Sequence, residues 1–156
     1  MNIKQTLKLT ALTLLLLLLP GAHDASAQSV RRLRLVRGAA AASGVLRPGT
    51  REARHAYTFR AKAGQRLSVR VTSGRVRVGE ADESAAVFHV TDEGGNLPPD
   101  FGDYPYGGPR EWAGALPRGG VYKITVSVED GPDDPDEATL RRMKLSLRYR
   151  LTVTLR

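Results

Sequence analysis

Residues 143–155 read MKLSLRYRLTVTL. The odd positions, Met143, Leu145, Leu147, Tyr149, Leu151, Val153 and Leu155, are apolar or aromatic, while the even ones, Lys144, Ser146, Arg148, Arg150, Thr152 and Thr154, are charged or hydroxylated. Side chains along a strand alternate between faces, so a period of two held this long predicts a half-buried strand; wound as a helix, the apolar set would scatter round the axis. The pattern returns in Tyr122, Ile124, Val126 and Val128, and again in Leu67, Val69 and Val71. Shorter candidate strands are Arg32 to Arg37, His55 to Ala61, Arg75 to Val78, Ala86 to Thr91 and Glu111 to Ala115. Turn signals separate them at Pro48-Gly49, Ala63-Gly64, Ser73-Gly74, Gly94-Gly95, Gly119-Gly120 and Gly131-Pro132. About eight strands with turns roughly every ten residues predict an all-β chain, an antiparallel β-sandwich of jelly-roll type, with no long helix.

The N-terminal stretch stands outside this rhythm. Lys4 and Lys8 precede an apolar run from Leu9 to Leu19, Pro20-Gly21 breaks it, and Ala25-Ser26-Ala27 offers small residues for a peptidase. An eleven-residue run makes about 17 Å of helix against a hydrocarbon core of about 30 Å, too short for a transmembrane anchor. The reading is a cleaved signal peptide over 1–27 and a single exported domain over 28–156, periplasmic or secreted. Without Lys4, Lys8 and Asp24 the formal charge falls only from +8 to +7, so the basicity belongs to the domain.

The 156 residues include 19 Arg, 5 Lys and no Cys. Absence of cysteine excludes thiol catalysis, thiolate metal sites and a disulfide framework, leaving the fold to stand on its core. No HExxH spacing and no GxSxG elbow occurs, and His55 and His89 read as ordinary strand residues, so a non-enzymatic protein without cofactor or metal is expected. The arginines fall mainly on alternate strand positions of an exported chain, which argues against nucleic acid and for contact with anionic envelope polymers or headgroups.

Two segments break the alternation. Asn96 to Arg110 (NLPPDFGDYPYGGPR) has four prolines, three glycines and three aromatics; Tyr104 and Tyr106 there are candidate contact residues, whereas Trp112 beyond it favours burial. Glu129 to Glu137 (EDGPDDPDE) holds six acids in nine residues and predicts a solvated loop. Clustered carboxylates also suit Ca²⁺, but the regular DxDxDG spacing is missing.

Ser43-Gly44, then Tyr57-Thr58-Phe59-Arg60-Ala61-Lys62-Ala63-Gly64-Gln65-Arg66-Leu67, then Leu116-Pro117-Arg118-Gly119-Gly120-Val121-Tyr122, then Tyr149-Arg150-Leu151-Thr152-Val153 follow one another in an order that resembles the bacterial pre-peptidase C-terminal type of β-sandwich. More closely, the order resembles the secreted inhibitors of goose-type lysozyme, over about Leu35 to Leu155. That resemblance implies a protein partner, lysozyme, whose substrate cleft is plugged by loops at one end of the sandwich. It implies partner contacts near Ser43, Gly44 and Tyr57. Relatives carry arginines in the loop before the last strand; here the first half of that connection is acidic, which moves the expected basic contact to Arg141 and Arg142. The alternatives are a general envelope-associated sandwich with no lysozyme target, and a Ca²⁺-dependent carbohydrate binder using the acidic loop with Tyr104, Tyr106 and Trp112.

Overall fold

In the computed structural model residues 30–77, 83–104, 108–129 and 136–156 are described. The strands are β1 (Val30–Arg32), β2 (Ala39–Leu46), β3 (Arg54–Ala61), β4 (Arg66–Ser73), β5 (Val76–Arg77), β6 (Glu83–Ser84), β7 (Ala86–Thr91), β8 (Glu111–Ala115), β9 (Gly120–Val128) and β10 (Leu147–Leu155), with one helix, α1 (Glu137–Met143), before β10. Two four-stranded sheets, ordered β1-β3-β9-β7 and β2-β10-β4-β8, face each other, and β5 and β6 form a small hairpin beside them. The pairings are antiparallel except β1 with β3, which run parallel.

Alternation decides what lies between the sheets. Leu147, Tyr149, Leu151, Val153 and Leu155 of β10 point inward, as do Leu67, Val69 and Val71 of β4, and meet Tyr57, Phe59, Tyr122, Ile124, Val126, Phe88 and Val90 of the opposing sheet. Phe59 and Tyr122 pair directly across β3 and β9 with stacked rings 5.9 Å apart. Each fully buried side chain of this size contributes about 1.5–3 kcal/mol of burial free energy. Residues 96–104 and 108–110 close the open side between β7 and β8. Phe101 enters the core, the Trp112 indole N–H donates to the Asp100 carbonyl at 2.9 Å, and backbone bonds tie Pro109 to Phe88 and Arg110 to Val71. Trp112 is buried, as its alternating segment predicted.

Four expectations need correction. The long alternation begins as strand only at Leu147: Met143 ends α1 and Lys144 caps it in the left-handed conformation at φ 50°. The Asp136 carboxylate accepts the Thr139 N–H and so starts a helix where alternation alone continues the strand backwards. The Arg32 to Arg37 candidate is displaced, because the chain is strand over Val30–Arg32 and then turns at Arg37 and Gly38, both at positive φ. Finally β2 stands where no strand was expected, its run of alanines giving no contrast between faces. Of the Arg75 to Val78 candidate only Val76–Arg77 is strand, and Val78 lies outside the described residues.

Candidate functional site

β2 is an edge strand, paired only with β10. Register sets Ser43 opposite Arg150 and Gly44 opposite Tyr149, so Ser43 faces outward with the arginine and Gly44 faces inward. A Cβ on Gly44 would lie 2.7 Å from His55 Nδ1 and 2.8 Å from the Tyr149 hydroxyl, so only glycine fits without displacing them. His55 and Tyr57, two apart on β3, point to the same side. The Tyr149 hydroxyl sits between them, 2.7 Å from His55 Nδ1 and 2.6 Å from the Tyr57 hydroxyl. A chain of three polar groups therefore crosses from one sheet to the other beneath Gly44.

Its electrostatics favour the neutral forms. Burial, followed by the Arg31 and Arg47 charges, lowers the His55 pKa below its ordinary value. Burial, followed by the hydrogen bond to Tyr57, raises that of Tyr149 far above the usual phenol range. Neutral His55 can accept the Tyr149 proton at Nδ1 while Tyr149 accepts from Tyr57, which satisfies each group in turn.

The turn after β2 and helix α1 build the rim. Within residues 47–53, Arg47 N–H donates to the Glu52 carbonyl at 3.0 Å and the Thr50 hydroxyl to the Arg47 carbonyl at 2.8 Å, while the Arg47 guanidinium pairs with Glu52. Gly49, at φ 73°, lies against α1: a Cβ there would meet Arg141 N at 2.7 Å and Glu137 O at 2.8 Å. Arg141 pins the helix by donating from Nε to the Gly49 carbonyl at 2.5 Å and from its other end to Glu137 at 2.8 Å. Arg142 donates to the neutral Thr139 hydroxyl at 2.9 Å and makes no close ion pair among the described residues, though its charge helps to lower the pKa of the Asp136 carboxyl after that group's hydrogen bonds to Thr139.

The residues singled out from sequence fall into separate groups. Ser43 and Gly44 lie on β2, and Arg141 and Arg142 are tied through Gly49 to the turn that follows it. Tyr57 is 1% exposed and reaches this region through its hydroxyl alone. Tyr104 sits elsewhere, its ring 5.7 Å from Phe101 on the β7 and β8 side of the sandwich, across the sheets from β2. Tyr106 lies outside the described residues, as does most of the acidic loop. Of that loop, Glu129 pairs with Arg110 at 3.4 Å and Asp136 caps α1. Among the described residues no three His, Cys, Asp or Glu side chains gather in a way that could hold a metal ion. Sequence reasoning missed His55, Arg47 and Glu52. The available signal was His55 itself, placed two residues before Tyr57 on the buried face of a strand.

No protein-family model and no curated protein matches the chain. Among solved structures it is similar to a periplasmic inhibitor of g-type lysozyme from Aeromonas hydrophila, with a TM-score of 0.52 and 25% identity over 82% of this chain and 96% of that one. The corresponding Salmonella Typhimurium inhibitor gives 0.48 and 16%, covering 82% and 99%. The pre-peptidase C-terminal domain of a Bacillus anthracis collagenase gives 0.45 and 14%, covering 81% and 96%. The resemblance carried by the sequence motifs is thus matched in three dimensions: the chain has the fold of the Aeromonas inhibitor over nearly all of that protein's length.

Proposed function

We propose that this is an exported, non-enzymatic binding protein that inhibits a g-type lysozyme with the end of the sandwich formed by β2, the 47–53 turn and α1. The observation that carries the reading is the similarity to the Aeromonas inhibitor at 25% identity across 82% of this chain. Residues 1–27 act as the signal peptide and residues 28–156 as the mature domain, in the periplasm or outside the cell. Among the described residues no helix is long and apolar enough to cross a membrane.

Chemistry assigns the parts. A glycosidase cleft carries a pair of carboxylates flanking the scissile bond, and guanidinium groups are the best-matched partners for them. Arg142, in no close ion pair among the described residues, supplies the charge, and Arg141 holds the helix that presents it. Ser43, small and facing outward, lets a partner approach the β2 edge closely, while Gly44 leaves room beneath it for His55 and Tyr149. Tyr57 supports that edge from beneath through Tyr149.

The test is wall lysis by a g-type lysozyme with and without the purified protein. Inhibition is expected, and lysis that proceeds at full rate under a large molar excess rejects the reading. Arg142→Ala is expected to raise the concentration needed for half-inhibition about tenfold, the effect of losing about 1.4 kcal/mol. If the Arg141→Ala, Arg142→Ala pair inhibits as well as the parent, the basic contact lies elsewhere.

A further inference from the structure

The outward face of the β2-β10-β4-β8 sheet is open along all four strands, unlike that of its counterpart. Reading across the register, Val45 neighbours Arg148, Ser43 neighbours Arg150 and then Thr72, and Ala41 neighbours Thr152, Arg70 and Glu111. The last rows are Ala39, Thr154, Ser68 and Ala113, followed by Arg156 beside Arg66, joined by backbone bonds of 2.8 and 3.0 Å. Every one of these side chains is exposed or half-exposed. On the other sheet Ala56 and Val87, each 1% exposed, and Ser127, 9% exposed, are covered.

Five arginines thus share this open face with one carboxylate among the described residues, Glu111, which Arg70 holds at 2.7 Å. Arg66, Arg148, Arg150 and Arg156 have no ion pair among the described residues. Between the arginines stand only alanine, serine, threonine, and one half-buried valine. Arg66 and Arg156 flank a shallow depression floored by Ser68, Ala113 and Thr154. With strands about 4.8 Å apart and about 3.3 Å per residue, the face measures roughly 14 Å by 30 Å.

We infer that this face binds a linear anionic polysaccharide. Guanidinium groups pair with sulfate, phosphate or carboxylate in forked geometry, and the intervening hydroxyls are sized to bond with sugar hydroxyls. A bilayer is disfavoured because membrane-surface binding adds apolar insertion to charge, and among the described exposed large apolar residues only Val36, bridged to Ala39 at one corner of the β2 edge, borders this face. A single-stranded nucleic acid is disfavoured because the face offers no aromatic ring on which bases stack. The face overlaps the proposed lysozyme contact at Ser43 but does not include Arg142, and polysaccharide binding is read without any lysozyme present.

Heparin, a linear sulfated polysaccharide, is the probe, titrated calorimetrically into the purified protein with dextran as neutral control. Submillimolar heparin binding that weakens steeply with NaCl is expected, with none for dextran. Arg148→Gln with Arg150→Gln should weaken it at least tenfold and flatten the salt dependence, and Arg66→Gln should weaken it severalfold, so that the inference does not rest on one variant. Arg54→Gln with Arg60→Gln, which removes the same charge from the other sheet, should stay within twofold. Circular dichroism of each variant confirms the fold. Equal losses from both double variants would reduce the effect to net charge and overturn the inference. So would tighter binding to anionic phospholipid vesicles or duplex DNA than to heparin, or no heparin binding at all.

Discussion

Gly44 is the residue on which the β2 end depends, because the space its missing side chain leaves is occupied by His55 Nδ1 and the Tyr149 hydroxyl. Gly44→Ala forces a contact of 2.7 Å that rotation of a buried, hydrogen-bonded tyrosine cannot relieve cheaply. A loss of about 1–3 kcal/mol is expected, as for other overpacked sites, and equilibrium denaturation measures it. An unchanged midpoint would mean that the polar chain moves aside. Titration of His55 gives a second prediction at this scale. The fold lowers its pKa by burial and by the Arg31 and Arg47 charges, so the unfolded chain takes up the proton first, near pH 6.5. This contribution to stability is therefore complete above pH 6.5, declines as pH falls below it, and levels off beneath the folded value. His55→Gln should remove that part of the decline when stability is compared between pH 8 and pH 5; identical pH profiles for the two proteins would show that His55 plays no such part.

Helix α1 and strand β2 are the elements that the amino-acid pattern concealed, and each for a physical reason. The four alanines of β2 are small on both faces, so burial on one side leaves no periodic signal, and its place is set by pairing with β10. In α1 no residue is buried, so it lacks an apolar stripe, and Met143 and Leu145 mimic an extension of the strand that follows. By contrast β8 alternates strictly between exposed and buried residues, and β3 and β9 set their aromatic and branched side chains at alternate positions against the opposing sheet, so these were legible; β7, where Ala86, Val87 and Phe88 are all buried, was marked off by the turn signal at Gly94-Gly95 that follows it. The candidate site was half legible on the same grounds: Ser43-Gly44 and the two arginines are local motifs, but the polar chain joins residues 92 and 94 positions apart in sequence. The contact between α1 and the 47–53 turn predicts how the helix is lost. Gly49→Ala combines a left-handed backbone with a Cβ 2.7 Å from Arg141 N, and should lower stability by about 1–3 kcal/mol while detaching the helix. Hydrogen exchange reads this directly, since the Leu140 amide, bonded to the Asp136 carbonyl at 3.0 Å, should lose protection while the β9 amides keep theirs. Equal protection of Leu140 in both proteins would place the helix's stability in its own cap.

At the scale of the whole molecule the two lateral sides of the sandwich are closed by opposite means. On the β2 side the sheets are joined by the hydrogen bonds of His55, Tyr149 and Tyr57. On the β7 and β8 side the closure is apolar: Phe101 lies 6.0 Å from Phe88, 5.4 Å from Trp112 and 5.7 Å from Tyr104, measured between ring centres, and the Trp112 N–H holds the loop backbone. Without cysteine, nothing covalent fastens either side. Both sheets contribute to one continuous core, so the loss of either closure is felt by all of it, and the molecule should unfold in a single transition. Phe101→Ala tests this because it removes a ring that is 1% exposed, packed against Phe88 of one sheet and Trp112 of the other. Its cost is expected to be about 3–5 kcal/mol, the range for deleting a buried aromatic ring, because β7 and β8 are fixed by their ladders and cannot collapse into the space. Far-ultraviolet circular dichroism and tryptophan fluorescence should move together to lower denaturant, since Trp112 borders the cavity. If fluorescence shifts at low denaturant while the β signal holds, the closure around Phe101 opens on its own and the core is not a single cooperative unit.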